Sequence, residues 1–118
     1  MDVGSIRRYC LSFPRTTEKL QWEDALCFKV AGKIFATLNL ELSSPAQLSF
    51  KCSPERFAEL LEIEGISPAA YVGRYKWVAL EDLNALSQAD LKDCIRESYE
   101  LVLAKLPRKK KQKLSVRA

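Results

Sequence analysis

At 118 residues, with 47% hydrophobic and 29% charged side chains, the chain is long enough to bury a core as one domain without disulfide or metal support. No apolar run approaches the ~20 residues of a membrane helix. The stretch after Arg7 and Arg8 is too short for a secretory leader, so a cytoplasmic protein is expected. The formal charge of +4 is unevenly placed: residues 107–118 hold six basic residues and no acid, leaving 13 basic against 15 acidic residues, a net of −2, in residues 1–106. A single domain over 1–106 followed by a basic, flexible tail over 107–118 is expected.

Val3, Ile6, Cys10 and Phe13 recur at helical spacing. Asp2 suits the N-cap, and Pro14 discourages continuation through Phe13, which predicts a first helix of two to three turns. Thr17 to Trp22 reads as a first strand. In Ala25–Val30, Leu26, Phe28 and Val30 alternate with Cys27 and Lys29, and Ala31-Gly32 marks a tight turn. Lys33–Leu40 follows, with Ile34, Ala36, Leu38 and Leu40 expected on one face. After the Ser43-Ser44-Pro45 break, Leu48, Phe50 and Cys52 alternate with polar neighbours. The pattern is that of an antiparallel meander with one wet face.

Ser53-Pro54 opens a second helix, with serine at the N-cap and proline at the first helical position. Its apolar face is Phe57, Leu60 and Leu61. Residues 66–83 are the least regular and end in a short strand, Trp77–Leu80. Ser87 caps the last helix, where Leu91, Cys94, Ile95, Ser98, Tyr99, Val102 and Leu106 keep helical spacing until Pro107. The expected architecture is therefore α+β: an N-terminal helix, an antiparallel sheet of four to five strands, a short helix and a long C-terminal helix.

The chain contains no histidine. This removes the commonest general base, the usual metal ligand and the base of Ser-His and Cys-His pairs. Cys10, Cys27, Cys52 and Cys94 lie far apart in hydrophobic registers, as expected of small buried apolar residues rather than a zinc knuckle. Glu23-Asp24 and Glu81-Asp82 are adjacent, so on a strand they point to opposite faces. No phosphate-cradling glycine loop is present. A non-enzymatic protein without cofactor or metal is expected.

Binding signals are stronger. The tail places Arg108, Lys109, Lys110, Lys111 and Lys113 in one run that favours any polyanion. Tyr71–Trp77 interleaves aromatic rings with Arg74 and Lys76, the composition on which bases stack while cations hold the backbone. Lys29, Lys33 and Lys51 occupy polar strand registers on one wet face.

Several segments taken together resemble the MmcQ/YjbR family of small bacterial proteins. They are Ala25–Val30, Gly32–Ala36, Leu48–Pro54, Pro68–Tyr71, Trp77-Val78, Ser98–Val102 and Lys105–Pro107, and their order spans nearly all of residues 1–107. The resemblance implies one α+β domain shaped like secretion chaperones and CyaY-like proteins. It also implies DNA binding, through the double-wing motif proposed for the family. Many members carry histidine and asparagine between the tyrosine and the tryptophan, whereas this chain has Val72-Gly73-Arg74-Tyr75-Lys76. The expected contacts to DNA phosphates are Lys33, Lys51, Arg74 and Lys76, with Arg108–Lys113 as an electrostatic arm. The alternative is a chaperone-like protein-interaction module with no nucleic-acid role.

Overall fold

The computed structural model describes residues 1–21, 24–41, 46–70 and 72–106. Three α-helices and six strands follow in the order α1 (Val3–Leu11), β1 (Thr16–Gln21), β2 (Ala25–Val30), β3 (Lys33–Asn39), β4 (Leu48–Lys51), α2 (Pro54–Leu60), β5 (Ile66–Pro68), a 3₁₀ turn (Gly73–Tyr75), β6 (Trp77–Leu80) and α3 (Gln88–Ala104). All strand pairs are antiparallel, in the order β1-β2-β3-β4-β6-β5. The α+β architecture is as expected. β5 and the 3₁₀ turn emerge from the stretch whose sequence carries no regular period.

Local chemistry sets the boundaries. Asp2 accepts a hydrogen bond from the Ser5 amide at 2.7 Å, and the Ser5 hydroxyl accepts one from the Asp2 amide at 3.0 Å. That reciprocal box satisfies donors that a helix start leaves free. Ser53 and Ser87 cap α2 and α3 by one such bond each, accepting from the amides of Arg56 and Asp90. The β2–β3 turn places both Ala31 (φ 49°) and Gly32 (φ 81°) in the left-handed region, the backbone of a two-residue hairpin turn matched to strand twist.

The core lies between the sheet and the helices. Leu26, Leu38, Leu48 and Leu80 are cross-strand neighbours, as are Phe28, Ala36, Phe50 and Val78. Ile6, Cys10, Leu91 and Ile95 from α1 and α3 belong to the same buried cluster. Tyr99 stacks on Phe13 with ring centres 4.8 Å apart, and its hydroxyl donates to the Pro14 carbonyl at 2.8 Å. The first helix is thereby tied to the last.

One strand departs from simple alternation. The β2–β3 register shifts between Phe28 and Lys29, so that Phe28 faces Ala36 and Lys29 faces Ile34, with Phe35 as the extra residue. This β-bulge turns Phe35 into the core, fully buried against Tyr99 and Phe13. Ile34, expected beside Ala36 and Leu38, instead lines recesses outside that core. The cause is tertiary. The buried Ser98 hydroxyl of α3 donates to the Phe35 carbonyl at 2.5 Å and accepts from the Lys51 amide at 2.9 Å, bridging β3 and β4 where their ladder stops. Leu40, also expected on the inner face, follows β3 and is 42% exposed.

Candidate functional site

Beyond Ser98 the strand ends open into a recess of about 300 Å³. Lys33 and Ile34 enter from the start of β3, Lys51 from the end of β4 and Trp77 from the start of β6, where it faces Lys51 across the ladder. The last turns of α3 complete the wall with Val102, Lys105 and Leu106. Three lysines thus surround one indole, and none of the described lining residues is acidic. Lys51 is held below the ordinary lysine range, first by burial and then by the neighbouring Lys105 ammonium. Lys105 caps the C-terminus of α3, where the helix dipole favours a cation and offsets part of this repulsion.

The sign of this effect gives a prediction. Because the folded pKa of Lys51 lies below its unfolded value, the unfolded chain binds more protons between the two values. The destabilisation is fully present below the folded value and fades as pH rises through it. In Lys105→Met, thermal unfolding at low salt is expected to show higher stability near neutrality and a shallower gain towards alkaline pH.

A second, larger recess occupies the sheet face away from the helices. It measures about 690 Å³ and is lined by Ala25, Ile34, Thr37, Asn39, Ala46, Ser49, Ala69, Ala70, Val72 and Trp77. Small side chains make the space, since Thr37, Ser49 and Ala79 face one another across three central strands. None of these lining residues is charged. The groove shares Ile34 and Trp77 with the lysine recess.

Acidic residues gather elsewhere. Residues 54–64 and 81–93 hold eight carboxylates against Arg56 and Lys92. Glu59, Asp90 and Asp93 line one recess with Arg56. From Asp90 to Lys105 the helical rise spans roughly 22 Å. The net −2 of residues 1–106 therefore conceals an acidic end and a basic end.

A family model described as YjbR matches residues 11–101. The chain belongs to the YjbR family. Among solved structures, the YjbR chain is similar to the Deinococcus radiodurans protein DR2400, described with the domain DUF419. The TM-score is 0.80 and the identity 27%, over 96% of this chain and 87% of that one. A Pseudomonas syringae protein shares the fold at TM-score 0.70 and 22% identity, over 86% of this chain and 98% of its own. No curated protein matches the sequence.

Not all the basic residues expected from the sequence meet in this YjbR domain. Lys33 and Lys51 come together; Lys29 does not line their recess. The Arg74 guanidinium sits over the Tyr75 ring at 4.8 Å, and the Lys76 ammonium lies 5.1 Å from the centre of the Phe57 ring on α2. Neither lines the lysine recess. Arg108, Lys109, Lys110, Lys111 and Lys113 lie outside the described residues, as do Trp22 and Tyr71. Lys105 carries little signal in the sequence because it sits at the C-cap of a helix, where a lysine already has a capping role.

The four cysteines are buried and unpaired with one another. Burial pushes the Cys10 and Cys52 thiols up to about 12 and raises Cys27 and Cys94 as well, the opposite of an activated thiolate. Among the described residues no group of histidine, cysteine, aspartate and glutamate is placed to hold a metal ion. Among these residues, too, no helix is long and apolar enough to cross a membrane.

Proposed function

We propose that this YjbR-family chain is a non-enzymatic nucleic-acid-binding protein, with DNA as its first partner, whose phosphate contacts centre on Lys33, Lys51 and Lys105. The observation that carries this reading is the meeting of three lysines around Trp77 with no carboxylate among the described lining residues. Phosphate is the anion such a cluster suits, because ammonium groups neutralise it and release its counterions. Arg74 and Lys76 lie one to three positions from Trp77 in the chain and add charge nearby. Arg108–Lys113 follows Lys105 closely in sequence and supplies a sequence-independent arm.

Fluorescence anisotropy with labelled DNA tests it. Full-length Lys51→Met/Lys105→Met is expected to bind more weakly and to lower the slope of log K against log salt by about 0.7–0.9 for each phosphate left without its lysine. The reading fails if these variants bind as the parent does while a chain ending at Pro107 does not bind at all, because the tail alone then accounts for the affinity.

A second reading, a protein-interaction module, is supported by a different edge. β1 ends the sheet, and its Leu20 side chain is 54% exposed. A partner strand adding there would use main-chain hydrogen bonds, and would leave the lysine recess untouched.

A further inference from the structure

We propose that the lysine recess and the sheet-face groove form one site for an unpaired nucleotide of a single-stranded nucleic acid, with phosphate at Lys33, Lys51 and Lys105 and the base in the groove beside Trp77. This inference rests on the nucleic-acid reading above and adds the strand state of the ligand.

The two recesses adjoin, with Ile34 and Trp77 as common walls. Among the described lining residues one end is cationic and the other carries no charge, so the occupant that satisfies both has an anionic end and a neutral, largely apolar body. A nucleotide has that division. The groove, at about 690 Å³, falls within the roughly 300–1,000 Å³ of small-molecule sites. Its walls combine the apolar Ala25, Ala69 and Val72 with the neutral polar Thr37 and Ser49, which suits a ring with polar edges. The indole stands where the two recesses join, so a base lodged there meets an aromatic ring while its phosphate meets ammonium groups. Aromatic platform and adjoining cations are the usual means of holding unpaired bases.

A duplex fits this arrangement poorly. Its bases are stacked inside and reach a recess only by flipping out, at a cost. It also presents many phosphates at once to a domain whose residues 1–106 carry a net −2. An apolar peptide suits the groove but leaves three ammonium groups without a counter-charge.

The test compares binding of a short thymidine oligomer with that of a duplex of equal length, using the full chain. Two variants address the groove. Trp77→Phe shrinks the aromatic platform, and Ser49→Leu fills the space from a central strand; circular dichroism establishes that each is folded. The expected result is tighter binding of the single strand than of the duplex. Ser49→Leu should weaken single-strand binding about tenfold or more while leaving duplex binding unchanged, and oligomer-induced quenching of tryptophan fluorescence should fall in Trp77→Phe. Lys51→Met/Lys105→Met should weaken both ligands. Equal or tighter binding of the duplex, or single-strand affinity unaltered by Ser49→Leu, overturns the inference. If the lysine variant still weakens binding in that case, the phosphate reading of the recess survives alone. If neither nucleic acid binds, both readings fall together, and binding of an acidic peptide to the parent chain would then identify a protein ligand instead.

Discussion

Phe35→Ala is expected to lower the stability of the domain by about 3–5 kcal/mol, the range for removing a fully buried phenylalanine. Phe35 is entirely inaccessible and meets Tyr99 edge-on at 5.4 Å and Phe13 at 6.1 Å between ring centres. Phe13 and Tyr99 in turn join the end of α1 to α3. The alanine would leave a cavity at the junction of the N-terminal segment, the sheet and the last helix, where no neighbouring side chain can collapse without moving an element. Since domains are stable by roughly 5–15 kcal/mol in total, urea unfolding should show a midpoint shifted far down with an unchanged slope. A loss below about 1 kcal/mol would mean that the aromatic cluster closes over the gap and that the bulge is not held by its side chain.

Ser98→Ala is expected to cost about 2–4 kcal/mol, although it removes one oxygen atom. The hydroxyl serves two main-chain groups, the buried Phe35 carbonyl and the partly buried Lys51 amide. Each is deprived of its partner at once, and an orphaned buried group costs about 1–3 kcal/mol. A control separates this from packing: Ser98→Cys keeps the volume and a weak hydrogen-bonding group, and should retain more stability than alanine. The Lys51 amide, which donates to the Ser98 hydroxyl, should exchange faster with solvent in the alanine variant than in the parent. Because Lys51 stands at the end of the strand pinned by Ser98, phosphate or oligonucleotide binding should also weaken. Should β3 and β4 instead pair directly and close the gap, the cost would be small and the Phe35 bulge would disappear from the variant's structure.

These two residues also mark where the sequence stops being legible. The caps at Asp2, Ser53 and Ser87, the turn at Ala31-Gly32 and the period of α3 are local, and each is written within a few neighbouring residues. The bulge is not. Alternation from Ile34 to Leu40 reads as an ordinary strand, and the serine that bonds the bulged Phe35 carbonyl lies 63 positions away. The candidate site inherits that limit. Lys33 and Lys51 could be placed on polar registers, but their meeting with Lys105 depends on how α3 crosses the strand ends. The groove was hidden for a related reason. Ala25, Thr37 and Ser49 are ordinary strand residues one by one, and only the pairing of their strands gathers them into a hollow. Arg74 and Lys76 read as interleaved with aromatic rings, and each does lie over a ring, but one of those rings belongs to α2.

The acidic recess near the start of α3 and the lysine recess at its end make the molecule a lever with opposite signs at its two tips. In the field of a charged surface such a body is turned while it is still in free diffusion, acidic tip outward and basic tip leading. On the nucleic-acid reading, collisions are pre-aligned, and the arrival rate at a polyanion is expected to exceed what a net charge of −2 over residues 1–106 suggests. Added salt shortens the distance at which this torque acts, to about 8 Å at physiological ionic strength, so the encounter slows before the affinity of the docked state declines.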